Sequence, residues 1–66
     1  MSLKWTDVNE IVYQLIEKYP DASPSQLRFT VLHEMVCGLE EFEDDPNRSN
    51  ERILEAIVTA WLDEIS

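Results

Sequence analysis

Apolar residues return along this chain at helical intervals, and polar stretches break the pattern into separate pieces. Val8, Ile11, Val12, Leu15, Ile16 and Tyr19 follow the i, i+3, i+4, i+7 rule that marks one face of an amphipathic helix. Asp7, with Glu10 three residues later, is placed to form a capping box ahead of them, so the spacing predicts a first helix from about Asp7 to Lys18. Tyr19-Pro20 ends it, because the proline ring crowds a helical conformation at the residue before it. Ser23-Pro24 predicts a second start, with Ser23 as cap, Pro24 at the first helical position and Gln26 completing a capping box. That piece is short, Pro24 to about Arg28, since Thr30 offers a further cap. A third helix then buries Leu32, Met35, Val36 and Leu39. Two short helices joined so tightly predict a helix-turn-helix.

After Leu39 the periodicity stops. Glu40-Glu41-Phe42-Glu43-Asp44-Asp45-Pro46 and the turn-rich Asn47-Arg48-Ser49-Asn50 predict a loop, with Phe42 pinning its middle to the core. Ser49 or Asn50 is placed to cap a last helix, in which Ile53, Leu54, Ile57, Val58, Trp61, Leu62 and Ile65 form a broad apolar stripe. This should be the longest helix and the centre of the core. No segment alternates with period two long enough to make a strand. The expected fold is all-α: one domain over residues 1–66, a small orthogonal helical bundle with an acidic loop before its last helix.

Charge narrows the function. The 66 residues hold 14 Asp and Glu against 5 Lys and Arg, a formal net charge of -9. Nucleic acid and anionic membranes attract a surplus of Lys and Arg, so neither is an expected partner, and cations or basic protein surfaces are. A DNA-reading role for the third helix fails on the same ground, because Val31 to Leu39 carries no Lys or Arg and includes Glu34. A chain this short buries only roughly 60% of its unfolded surface, which leaves little room for a deep catalytic pocket and argues against an enzyme. No run approaches the roughly 18 apolar residues that a membrane span needs. The lone Cys37 cannot close an internal disulfide, and no apolar leader precedes the first helix, so a reducing, cytoplasmic setting is expected. A monomer is expected for so small and charged a domain.

The acidic run puts five carboxylates into six residues, Glu40 to Asp45. Neighbouring like charges repel by on the order of 1 kcal/mol even in water, so the run must stay hydrated or meet something positive. Asp45, Asn47 and Ser49 match the first, third and fifth positions of a calcium loop, but Asn50 stands where Gly is required and Ala56 where a bidentate Glu belongs, which rejects an EF-hand. Loose, partly hydrated divalent binding stays open, as does a purely solvated loop. His33 and Cys37 share one side of a helix at ligand-compatible spacing, with Glu40 and Glu41 a turn later, but two soft ligands alone do not make a specific site, and a lone His with a lone Cys on a helix flank is usually packing. Trp5 and Trp61 fit core or core-edge positions, and Arg48 and Arg52 can neutralise part of the run.

Taken together, Leu3-Lys4-Trp5-Thr6-Asp7, Arg28-Phe29-Thr30, His33, Cys37, Leu39 to Pro46, Ser49-Asn50-Glu51, Ile53 to Ile57 and Trp61-Leu62-Asp63-Glu64 resemble the IscX family over essentially the whole chain. These are small acidic accessory proteins of bacterial iron-sulfur cluster assembly. The resemblance implies a winged-helix-like, all-helical domain without enzymatic activity. It implies binding to a basic surface of cysteine desulfurase, a PLP enzyme, in competition with frataxin, and weak binding of ferrous iron. By position, Glu40, Glu41, Glu43, Asp44 and Asp45 are the main candidates for desulfurase contact, with Asp7, Glu10, Glu51 and Glu55 candidates for the same acidic face. Glu40, Glu43, Asp44 and Asp45 are the candidate ligands for Fe2+, with no tightly bound cofactor expected. An iron donor that uses the same carboxylates is the alternative role. Family members commonly carry Asp at the positions of Val31 and Gly38 and Trp at that of Met35, and this chain departs from all three.

Overall fold

A computed structural model describes residues 2–66. Three α-helices make up the frame: α1 over Val8–Lys18, α2 over Phe29–Cys37 and α3 over Glu51–Ile65. Single 3-10 turns at Pro24–Gln26 and Pro46–Arg48 lie in the two connections. The α-carbon radius of gyration, 10.5 Å, is close to the roughly 11 Å expected for a packed chain of this length.

Each helix buries the stripe its spacing sets. Ile11, Val12 and Leu15 of α1, Leu32 and Val36 of α2, and Leu54, Ile57 and Trp61 of α3 meet in one core, joined by Leu3, Trp5 and Leu39 from outside the helices. Each fully buried aliphatic side chain is worth about 1.5–3 kcal/mol relative to exposure, more than helix propensity can supply in segments of 9 to 15 residues. α3 is the longest helix, as expected, and Trp61 is its largest buried side chain. The stripe fades toward its end, where Leu62 and Ile65 are exposed. Asn50 caps α3, its side-chain oxygen accepting from the Ile53 N–H at 2.9 Å.

Three local expectations are corrected. Asp7 precedes α1 but makes no side-chain cap. Its carboxylate accepts from the Lys4 N–H at 3.0 Å, closing the turn that the burial of Trp5 imposes just upstream. Ser23 likewise makes no side-chain cap, and Pro24–Gln26 is one 3-10 turn that gives way to extended Leu27. The first of the two short helices expected here is therefore a single 3-10 turn ahead of α2. Finally, α2 begins at Phe29, before Thr30, with Arg28 extended at its N-cap. Phe29 packs against the core, and that contact draws the first turn forward.

The sole β feature among the described residues is one parallel bridge, Leu3 to Phe42. The Leu3 N–H donates to the Glu41 carbonyl at 2.7 Å, and the Glu43 N–H donates to the Leu3 carbonyl at 3.0 Å. This short strap ties the start of the chain to the acidic loop.

Candidate functional site: the acidic loop and its anchors

The loop leaves α2 through Gly38 and Leu39. Leu39 stays buried and Phe42 packs against the core, so the chain cannot swing free between Cys37 and Pro46. Phe42 meets the edge of Trp5 with ring centroids 4.8 Å apart, which is the pinning expected of it. The bridge sits at Phe42 alone, where the chain leaves the turn closed by the Phe42 N–H on the Leu39 carbonyl at 3.1 Å. Phe42 goes inward, and its neighbours Glu41 and Glu43 are exposed.

Asp44 turns back in. Its side chain is only 10% exposed, with one oxygen accepting from the Trp5 N–H at 3.0 Å and the other from the Asp45 N–H at 2.8 Å. Those donors, the Trp5 amide first, hold its carboxyl below the usual carboxylate range against the opposing effect of desolvation. Arg48 and Lys4 add a smaller pull in the same direction, Arg48 from 3.7 Å. Asp45 is exposed, and its side chain accepts from the Asn47 N–H at 2.9 Å, capping the turn at Pro46–Arg48.

Two aromatic residues complete the anchorage. The Trp5 indole N–H donates to the Asp45 carbonyl at 2.8 Å. His33 of α2 stacks on the same indole, centroids 5.4 Å apart, and its Nε2 lies 2.7 Å from the Pro46 carbonyl. Lysines bind the surrounding backbone, Lys4 Nζ the Glu43 carbonyl at 3.0 Å and Lys18 Nζ the Gly38 carbonyl at 3.1 Å. Gln14 of α1 donates to the Glu41 carboxylate at 3.3 Å.

The candidate residues therefore fall into distinct settings. Glu40, Glu41 and Glu43 are exposed on the loop, while Asp44 is committed to holding it. Asp7 is half-buried and occupied by the Lys4 amide, and Glu10 is exposed in the first turn of α1. Glu51 and Glu55 are exposed on α3. No three His, Cys, Asp or Glu side chains among the described residues come together as a metal site. Such a donor set does not fit a resident, caged metal, and a cation on this loop would keep most of its water. His33 and Cys37 do share one side of α2, as their spacing predicts, with Sγ 3.9 Å from Nδ1. Burial pushes the Cys37 thiol above its ordinary range, so less of it is thiolate at a given pH.

A family model described as iron-sulphur cluster assembly matches residues 3–66. The chain belongs to that family, the IscX type. An uncharacterized protein of Pseudomonas aeruginosa is 53% identical over 64 residues, covering 97% of both chains. The match begins at Leu3, so this family's sequence pattern takes in the strap as well as the helices and the loop. In this IscX-family chain no helix among the described residues is long and apolar enough to cross a membrane.

Sequence reasoning missed the anchors. Trp5 is a core residue, as its type and place suggest, but the helical pattern gives it no link to the loop, whose residues it bonds 39 and 40 positions downstream. A tryptophan beside a Thr-Asp turn, with its own helix still to begin, was the available signal.

Proposed function

We propose that this protein is a non-enzymatic adaptor of iron-sulfur cluster assembly that docks on the basic surface of cysteine desulfurase and modulates it in competition with frataxin. Family membership supports the setting. The observation that carries the docking face is the arrangement of the acidic loop, with Glu40, Glu41 and Glu43 exposed on a backbone held from beneath. Glu10, Glu51 and Glu55 extend the negative surface in this reading, and Asp7 and Asp45 contribute charge from partly occupied side chains.

A net charge of -9 steers such a protein toward a positive patch. Association is then fast at low salt and falls as screening shortens the electrostatic range to about 8 Å near physiological ionic strength. Ferrous iron binds weakly in this reading. Among Glu40, Glu43, Asp44 and Asp45, the two glutamates are the freest to take it, because both Asp44 oxygens already accept backbone N–H groups. A dedicated iron donor would need a tighter donor set than one or two carboxylates with water.

Calorimetric titration against cysteine desulfurase at low and high salt tests the reading. Changing Glu40, Glu41 and Glu43 together to Lys reverses the exposed charge and leaves the Asp44 anchor in place. Salt-sensitive binding by the wild type, displaced by frataxin and lost in the variant, is expected. A variant that binds as well as wild type would remove the loop as the docking face.

A further inference from the structure

Trp5 holds the acidic loop from several directions at once. Its amide donates to Asp44, its indole donates to the Asp45 carbonyl, its ring edge meets Phe42, and its face stacks on His33, which itself bonds the Pro46 carbonyl. The neighbouring Leu3 supplies the bridge to Glu41 and Glu43. Docking by charge alone would need none of this. A run of five carboxylates left to itself would spread apart by mutual repulsion and hold no fixed pattern.

We infer that Trp5 is a positioning residue for docking: it clamps the loop so that Glu40, Glu41 and Glu43 form a preformed outward face, and it takes Asp44 out of the contact and into the clamp. The inference rests on the docking reading given above. The carboxylates then divide into two kinds with different physical signatures. An exposed rim charge acts mainly on encounter and on salt dependence. A clamp residue acts on the fraction of molecules whose loop is presented, and apparent affinity falls by that fraction at every ionic strength.

Three single substitutions separate these signatures. Glu43→Gln removes one exposed charge. Asp44→Asn removes the same charge, but its single acceptor oxygen cannot serve both the Trp5 and Asp45 amides. Trp5→Phe keeps an aromatic ring and the net charge and loses the indole N–H. Each variant is first confirmed folded by circular dichroism and thermal melting, and Asp44→Asn leaves the apolar core untouched should Trp5→Phe fold poorly. Binding to cysteine desulfurase is titrated at low and high salt, and amide hydrogen exchange is followed at Glu43, Asp45 and Asn47, all hydrogen-bonded in the clamped loop.

Glu43→Gln is expected to weaken binding by about two- to threefold at low salt and to match wild type at high salt. Asp44→Asn and Trp5→Phe are expected to weaken it by about tenfold at both salts, the loss if presentation falls to about one molecule in ten. Exchange at the three amides should speed up in the same two variants and stay unchanged in Glu43→Gln. The positioning role is overturned if Asp44→Asn behaves as Glu43→Gln does, or if faster exchange leaves affinity unchanged. Wild-type protein that fails to bind desulfurase in either salt would instead overturn the docking reading, and the positioning role with it.

Discussion

His33 donates through Nε2 to the carbonyl of Pro46, 2.7 Å away, and so presents Nδ1 as an acceptor to the Cys37 thiol at 3.9 Å. A carbonyl can only accept, so this geometry selects the Nε2–H tautomer of the neutral ring and makes Cys37 the donor. Nitrogen-15 NMR of the neutral imidazole should show Nε2 protonated and Nδ1 bare. A ring dominated by the Nδ1–H form would mean that the Pro46 contact is not made. His33→Ala should loosen Pro46–Arg48 and leave α2 helical, because neighbouring Leu32 and Val36 carry the burial of that helix.

Asp44 makes the loop sensitive to acid. Its folded carboxyl titrates below the unfolded value of about 3.9, chiefly because the Trp5 amide bonds the charged form. The sign follows from linkage: the stabilisation is fully present above about pH 4 and is lost as the pH falls through the lower folded value. The protection factor of the Asp45 amide, its exchange measured against the intrinsic rate at each pH, should fall below about pH 4 while the core amides of α1 and α3 remain protected. Asp44→Asn should exchange fast at neutral pH already. An Asp45 protection factor that stays constant from about pH 7 to about pH 3 in wild type would rule this out.

Cys37 should be a slow thiol. Burial raises its titration above the ordinary range, so less thiolate is present at any pH near 8. Alkylation at pH 8 is expected to run several-fold slower than for an unstructured peptide with the same flanking residues. Unfolding in urea should abolish the difference. A folded rate equal to the peptide's would show the thiol to be as free as in the open chain.

Asn50 holds the start of α3 through the Ile53 amide. Asn50→Ala is expected to cost about 1 kcal/mol, read as a lower urea midpoint with an unchanged slope. In a domain whose whole stability is on the order of 3–10 kcal/mol, that loss is easily resolved. A midpoint equal to wild type would mean that water or a neighbour caps the helix just as well.

How far the sequence could be read depended on distance along the chain. The Asn50 cap and the stripe of Leu54, Ile57 and Trp61 were legible because every partner lies within a few turns of one helix. The Asp7 and Ser23 capping boxes were equally local and still failed. At Asp7 a competing donor, the Lys4 amide, takes the carboxylate, and at Ser23 the chain turns extended at Leu27 before a helix can form. In the loop, composition set out the acidic run and the inward Phe42. It could not sort Asp44 from Glu43, because that distinction is made by Trp5, and nothing local records a contact across 39 residues.

The Leu3 to Phe42 bridge has a practical consequence for how the protein is handled. An affinity tag fused ahead of Ser2 would begin one residue from the strap that bonds the backbone of Glu41 and Glu43. A protonated polyhistidine tag that close in sequence is attracted to the same carboxylates and competes for the face an interaction assay is meant to probe. A tag after Ser66 instead extends from the exposed end of α3, where Ile65 already faces solvent. Assays built on the two fusions should therefore disagree, and the C-terminal one should report the native surface.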